Sequence, residues 1–479
     1  MAAFLTADIC VIGGGAGGLR VAERARALQA SVLLVEKAAL GGESLNAGAV
    51  PSKALVAAGR RAQLLRTATP FGIANDTPKI SARGVFDHVH AVIESAAGLA
   101  APEHLLALGV ELVGGEAHFI DRQTLAVGDQ QIKARRFVIA TGSKPLIPSI
   151  PGLDTIPYFT SATIFDNPRK LTHLVIIGGG PVGLEMAQAY VRLGSAVTVV
   201  DIATPLAASD PELAALALRR IAEEGVVIHA NTTVVRVQAR SQGIGVIIRP
   251  ADAEQTLDAS HVLVATGRVP NLDRLDLAKA NIRLRKGGTQ LLLRPDLRTT
   301  NAAVYAIGDA AGGAQHSHAA MHHADLVVES AILGRRVRHD AALVPSVVFT
   351  DPEIAEVGLT EPEARQKHGE NYRVLRLSFS ENDRARTERQ SFGLVKLVTD
   401  RTGKLLGAGI VGTAAAEMIA LYGFAIGNHM SVSHFRNFVA PYPTLAAVAQ
   451  GLADEAMRQQ TEGGRVSPLL KLRRMLPLP

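Results

Sequence analysis

Residues 8–36 read DICVIGGGAGGLRVAERARALQASVLLVE. An apolar run from Asp8 to Ile12 enters six small residues, Gly13 to Gly18, continues with helical character to about Leu28, and returns as Val32 to Val35 ending on Glu36. That order predicts strand, tight turn, helix and parallel strand, a βαβ unit whose helix N-terminus suits a dinucleotide pyrophosphate. The same grammar recurs in residues 174–201, LVIIGGGPVGLEMAQAYVRLGSAVTVVD, with the glycine cluster Gly178 to Gly183 and a closing Asp201. Gly13 and Gly178 lie equally far before their carboxylates, an offset that chance rarely repeats. In each cluster the first glycine (Gly13, Gly178) makes the turn, the next (Gly15, Gly180) admits backbone to a pyrophosphate, and the last (Gly18, Gly183) packs helix on strand. Glu36 and Asp201 stand where a carboxylate accepts hydrogen bonds from ribose hydroxyls. Two nucleotides in one chain suggest a hydride passing between cofactors.

Outward from these units, each fingerprint is followed by a strand ending in Ala-Thr-Gly, at Phe137 to Ala140 with Thr141-Gly142 and at His261 to Val264 with Ala265-Thr266-Gly267. From about Val344 the pattern changes to short strands (Ser346 to Phe349, Arg373 to Phe379, Leu394 to Val398, Gly407 to Val411) interleaved with helical runs at Ala414 to Ile426 and Thr444 to Met457. The expected class is α/β, two Rossmann-like dinucleotide-binding domains followed by a C-terminal α+β domain.

Composition narrows the function. With 479 residues, 47% apolar and 20% charged, the chain is long enough for about three folded domains and is neither disordered nor fibrous. Aromatics at 4% and no Trp leave little to stack on bases, so no nucleic-acid partner is expected despite a net charge of +6. The single cysteine, Cys10, sits in an apolar run, which excludes an intrachain disulfide and predicts burial. Neither a signal peptide nor an apolar run of membrane-spanning length is readable, and a cytoplasmic setting is expected.

The motifs then carry a resemblance. GGGAGG with Glu36, GGESLNAGAVPSKAL at Gly41 to Leu55, both ATG strands, GGGPVGLE at Gly178 to Glu185, AIGDAAGG at Ala306 to Gly313, FTDPEIAEVGLTE at Phe349 to Glu361 and APYPTL at Ala440 to Leu445 make the chain similar to the flavoprotein disulfide reductase (pyridine nucleotide-disulfide oxidoreductase) family over nearly its whole length. The resemblance implies an FAD-binding domain in residues 1–152 and 275–343, an NAD(H)-binding domain in 153–274, and a dimerisation domain in 344–479 that completes the active site of a homodimer partner. It implies that Gly13, Gly15, Gly18, Glu36, Gly42, Thr141, Gly142, Asp309 and His318 contact FAD, and that Gly178, Gly180, Gly183, Asp201 and Gly267 contact NADH. Lys53, expected one turn into a helix started by Pro51, and Glu185 match the family's ion pair beside the reactive flavin edge. The helix after Asp309 would point its N-terminus at the flavin and stabilise negative charge there.

The chain also departs from the family. Ser44 and Ala49 occupy the places of its two redox cysteines, and neither hydroxyl nor methyl replaces a thiolate in disulfide exchange. The family's His–Glu proton relay reads Tyr442 and Ala447. Tyr442 resembles the mercuric-reductase-like branch, yet that branch's metal reduction needs thiolates too. Paired Cys-to-Ser and Cys-to-Ala changes are what an engineered inactive variant shows, whereas loss of the relay Glu as well points to natural divergence.

The expected activity is therefore NADH oxidation with electrons passing directly from reduced flavin to a small-molecule acceptor, a quinone or another small oxidant, with Lys53, Glu185, Tyr442 and Ser44 around the reacting atoms. The alternative is a catalytically lapsed FAD/NAD-binding dimer serving as sensor or partner subunit. Asp201, with no Arg in Ile202-Ala203-Thr204, favours NADH over NADPH. His318 and His322 share an i,i+4 helical spacing that can bind metal, but flavin-side and interface roles are preferred and no metal is assigned. The leucines and basic residues of 467–476 suit either weak membrane-surface contact or docking on the dimer.

Overall fold

The computed structural model describes residues 4–251 and 253–462. They divide into two compact units, one within Met1–Pro205 and Ala222–Ala341, the other within Leu206–Ile221 and Ala342–Pro479.

In the first unit the strand Phe4–Ile12 lies between Val32–Glu36 and Gln130–Ile139, parallel to both, with Cys10 opposite Leu33 and Phe137. Val110–Gly114 extends this sheet beside Val32–Glu36, an antiparallel pair (Thr124–Val127, Ala117–Phe119) extends it on the other side, and Val304–Ala306 returns to pair with Gln130–Ile139. From Ile9 to Ile12 the central strand is apolar on both faces because both are covered there, as parallel sheets require. Ile9 and Val11 pack with Leu19, Val21 and Ala22 of the helix Ala16–Ala27, while Cys10 and Ile12 meet a layer that includes Leu272, Leu277 and Ile282. Each such fully buried branched side chain contributes roughly 1.5–3 kcal/mol.

The second fingerprint builds its own parallel sheet, in the order Val227–His229, Ala196–Val200, His173–Ile177, His261–Val264, Phe159–Thr160. An antiparallel three-stranded sheet, Thr233–Ala239, Ile244–Arg249 and Gln255–Ala259, leads into its strand His261–Val264.

The other unit is an antiparallel five-stranded sheet, in the order Ser346–Val348, Glu353–Gly358, Leu405–Gly412, Leu394–Asp400, Tyr372–Ser378. Four of these strands are close to those expected. Glu353–Gly358 was not expected as a strand, because its alternation is masked by two buried carboxylates. Glu353 accepts the Ala416 N–H (3.0 Å) and Glu356 accepts the Asp210 N–H (2.8 Å), so long-range partners make a polar strand interior tolerable. Burial pushes the Glu356 carboxyl above the usual range.

Two helix boundaries also shift. The helix carrying Lys53 starts at Ala49, not Pro51, with Gly48 before it; a proline within the first turn removes no ladder hydrogen bond. The run from Thr444 resolves into a 3-10 turn, Leu445–Ala447, and the helix Val448–Glu462. No described helix is long and apolar enough to cross a membrane. The basic segment 467–476 lies outside the described residues.

Candidate functional site

Both glycine clusters fold as tight turns that cradle the start of a helix. Gly13 takes φ +111°, and a Cβ there would stand 2.4 Å from the Ala140 carbonyl oxygen. A Cβ on Gly18 would stand 1.9 Å from the Gly13 carbonyl oxygen, so helix and turn meet only if that side chain is a hydrogen. Gly15 precedes the helix Ala16–Ala27, and Gly180 precedes Pro181–Arg192. Neither helix has a side-chain cap or an acidic residue in its first turn. Their leading amides and dipoles therefore face outward without a protein carboxylate, which suits a pyrophosphate.

The carboxylates brace these turns. Glu36 accepts the N–H groups of Gly14 (2.6 Å) and Ala38 (2.8 Å). Asp201 accepts those of Gly179 (2.6 Å) and Ala203 (2.8 Å). A carboxylate oxygen has two lone-pair sites, so each keeps capacity for a ribose hydroxyl.

The short helix Gly42–Asn46 walls the first cradle, with the Gly42 α-carbon where a Cβ on Gly15 would lie 3.8 Å away. Thr141 is locked by reciprocal bonds, its hydroxyl to the Asn271 carbonyl (2.8 Å) and its carbonyl from the Asn271 amide (3.0 Å). Gly142 and Gly267 have positive φ, and a Cβ on either would meet no atom within 4 Å.

Lys53 and Glu185 meet. Their Nζ–Oε2 distance is 2.7 Å, with the Glu185 side chain 5% exposed and that of Lys53 35%. The helices that carry them approach closely because Gly59 lies against Ala189, where a Cβ would come within 3.2 Å of its carbonyl oxygen. Removing one partner would leave a buried charge, whose desolvation penalty is several kcal/mol at most and less near solvent.

Asp309 anchors a second group that sequence reading did not single out. Its Oδ2 accepts the Ser143 hydroxyl (2.5 Å), and Ser143 Oγ also accepts from Arg268 Nε (2.7 Å). Arg268, 13% exposed, ion-pairs with Glu43 (3.0 Å) and reaches the Ser161 hydroxyl (3.1 Å). Burial raises the Glu43 carboxyl above its ordinary range despite the adjacent guanidinium, and Asp309 adds to the rise. The turn Gly308–Ala311 is fixed from behind by His323, whose Nδ1 accepts the Gly308 N–H (3.1 Å) and whose Nε2 faces His339 Nε2 (3.3 Å). Burial, with His339 and His322 nearby, lowers the His323 pKa to about 4.

Ser44, on the short helix, shares a 2.5 Å hydrogen bond with Ser317 at the start of the helix Ser317–Ala331. His318 is the second residue of that helix and stacks on His316 with ring centroids 5.0 Å apart. Among the described residues no three His, Cys, Asp or Glu side chains are grouped to hold a metal. Ala49 opens the helix of Lys53, and Cys10 is fully buried, its thiol pushed well above the ordinary value. Tyr442, in the other unit, is 80% exposed and donates its hydroxyl to Asp383 (3.0 Å).

Residues 7–324 match the pyridine nucleotide-disulphide oxidoreductase family, and residues 344–452 match the dimerisation domain of the same family. The chain belongs to the pyridine nucleotide-disulphide oxidoreductases. It is 34% identical to a mercuric reductase of Streptomyces lividans over 92% of this chain and 94% of that one. It is 36% identical to a dihydrolipoyl dehydrogenase of Thermus scotoductus over 95% and 98%. Among solved structures it is similar to LpdA from Mycobacterium tuberculosis (TM-score 0.85, 27% identity, covering 94% of this chain and 99% of that one). It is also similar to the HOCl-induced flavoprotein disulfide reductase RclA from Escherichia coli (TM-score 0.82, 25% identity, covering 94% and 99%). The fold is that of a flavoprotein disulfide reductase, and the chain is an FAD-dependent oxidoreductase by family. Within that family it lacks the redox cysteine pair, since Cys10 is its one cysteine.

Proposed function

We propose that this chain oxidises NADH through FAD and passes the electrons directly to a small external acceptor, a quinone or another small oxidant, without a disulfide relay. The observation that carries the reading is the absence of a usable thiol: Ser44 and Ala49 stand in the relay segment, and Cys10 is sealed inside a strand. A protonated thiol with no access to solvent is neither nucleophile nor electron carrier.

FAD, when bound, supplies the two-electron store between nicotinamide and acceptor. The chain's residues do the rest. The leading amides of the helices after Gly15 and Gly180 bind one pyrophosphate each. Glu36 and Asp201 take the ribose hydroxyls, and Asp309, held by Ser143, takes the flavin side chain. Lys53, oriented by Glu185, would set a positive charge beside the flavin ring and so favour its reduction. The open faces beside Thr141, Gly142 and Gly267 suit close approach of a ligand to backbone. The second unit provides the homodimer contact and sends Tyr442 to the partner's acceptor site, where its hydroxyl hydrogen-bonds the acceptor. The domain limits expected from the sequence, the NADH preference and a cytoplasmic setting belong to the same proposal.

The test is NADH oxidation by purified protein with quinones, dyes, oxygen, lipoamide, glutathione disulfide and mercuric ion. Turnover with quinone or a small oxidant, and none with the last three, is expected. Robust reduction of lipoamide, glutathione disulfide or mercuric ion would overturn the reading, and silence with every acceptor would favour the sensor or partner-subunit alternative.

A further inference from the structure

A narrow cleft runs between the helices that carry Lys53 and Glu185, and no residue of either glycine cluster lines it. Its apolar walls are Leu55 of the helix Ala49–Arg66, Phe86 and Val89 of the helix Ala82–Ala96, and Ile164 and Phe165 of the turn Ile164–Asp166. The free volume of about 50 Å³ takes roughly four water-sized groups. That is room for a short alkyl chain and too little for a ring system.

The rest of the lining is polar and gathered at one junction. The Ser195 N–H donates to the Tyr190 carbonyl (3.0 Å) and the Ala196 N–H to the Thr172 carbonyl (3.0 Å), which brings the end of the helix Pro181–Arg192 beside the segment leading into His173–Ile177. Arg169, Lys170, Tyr190 and Ser195 of that junction all line the cleft. Asn167 fixes the turn by accepting the Arg169 N–H (3.2 Å) and donating to the Arg169 carbonyl (2.8 Å). Among the described residues Arg169 and Lys170 form no ion pair, and no carboxylate lines the cleft. Ser195 is 7% exposed, and neither its hydroxyl nor that of Tyr190 has a hydrogen-bond partner among the described residues. A hydroxyl withdrawn from water without a partner carries its desolvation cost uncompensated. Burial also pushes the Tyr190 phenol above its ordinary pKa, so it stays protonated and able to donate.

We propose that this cleft binds a short aliphatic carboxylate, its chain against Leu55, Val89 and Phe165 and its carboxylate accepting from the Tyr190 and Ser195 hydroxyls beside Arg169 and Lys170. One such ligand satisfies both idle donors, neutralises a surplus of positive charge and fills the apolar slot. A neutral alcohol of the same length leaves the cations unanswered, and a carboxylate without a chain leaves the slot empty.

The probe is hexanoate, titrated into the full-length flavin-loaded protein with NAD+ in excess, so that anion binding at the glycine turns does not compete, and followed by ligand-observed saturation-transfer NMR. Saturable binding below about 10 mM is expected. From propionate to hexanoate each methylene is expected to tighten binding about fourfold, with the gain ending once the slot is full. Tyr190→Phe, which deletes only the hydroxyl, is expected to weaken hexanoate about tenfold. Arg169→Ser combined with Lys170→Ser is expected to do the same; both side chains are exposed, so this variant reads the site without disturbing the core. Hexanol binding as tightly as hexanoate would overturn the carboxylate assignment. Hexanoate binding that is unchanged in both variants, that shows no dependence on chain length, or that is absent up to about 10 mM would overturn the site itself.

Discussion

Gly13 and Gly178 take φ of +111° and +112°, and a side chain on either would strike the carbonyl oxygen of Ala140 or Ala265 at 2.4 Å. Glu36 and Asp201 differ by one methylene yet each clasps its turn through two backbone N–H groups at the same two distances, 2.6 and 2.8 Å. The two folds part beyond the cradle. The first is walled by Gly42–Asn46 and receives the returning strand Val304–Ala306, whose following turn carries Asp309. The second has neither addition, and nothing lies within 4 Å of where a Cβ on Gly180 would be. The same local chemistry thus stands in one enclosed turn and one open turn; what differs is supplied by distant parts of the chain.

The strongest way to break that comparison is to spoil each cradle alone. Gly18→Ala is expected to weaken FAD retention at least about a hundredfold, or roughly 3 kcal/mol, since its methyl cannot be fitted without opening the turn. Gly183→Ala, with the clash 2.0 Å from the Gly178 carbonyl oxygen, is expected to stay yellow while its reduction by NADH collapses. Flavin-to-protein absorbance after desalting and stopped-flow bleaching read the two outcomes, and loss of colour in both would end the assignment of separate ligands.

A finer test concerns Asp201. Like-charge repulsion of roughly 1 to 3 kcal/mol predicts an NADH preference over NADPH of about 5- to 150-fold in flavin reduction. Asp201→Asn is expected to narrow that ratio, and equal rates in the unaltered protein would refute the preference.

A further effect is one of pH, confined to the first fold. His323 has its pKa lowered to about 4 from 6.5, so its contribution to stability is present above pH 6.5 and is lost as pH falls toward 4. Between pH 7 and pH 5 this amounts to about 2 kcal/mol of unfolding free energy. Urea denaturation is expected to show that loss and to show it reduced in His323→Asn; identical slopes in both proteins would remove His323 as its source.

The parts legible in the sequence are those written locally. A turn that only glycine can make announces itself, and so does a carboxylate at a fixed distance beyond it, which is why both cradles, the Lys53 and Glu185 segments and the Asp309 motif were readable. The illegible parts depend on partners far along the chain. Glu43 looks like a surface residue until Arg268 is brought to it, and Glu353–Gly358 lacks strand alternation until Asp210 and Ala416 satisfy its carboxylates. Asp383 had one local signal, an Asn-Asp pair after a strand, which is a helix start; that it would hold Tyr442 was not encoded nearby.

Cys10 has a practical consequence. The folded chain offers alkylating reagents no reactive sulfur, because its one thiol lies between neighbouring strands with no exposed surface. A cysteine introduced at any chosen surface position therefore becomes a unique handle for a dye or spin label, with no native background to remove. Left unlabelled, the same sulfur is a built-in gauge: its rate of modification reports how often the central strand of the first sheet opens.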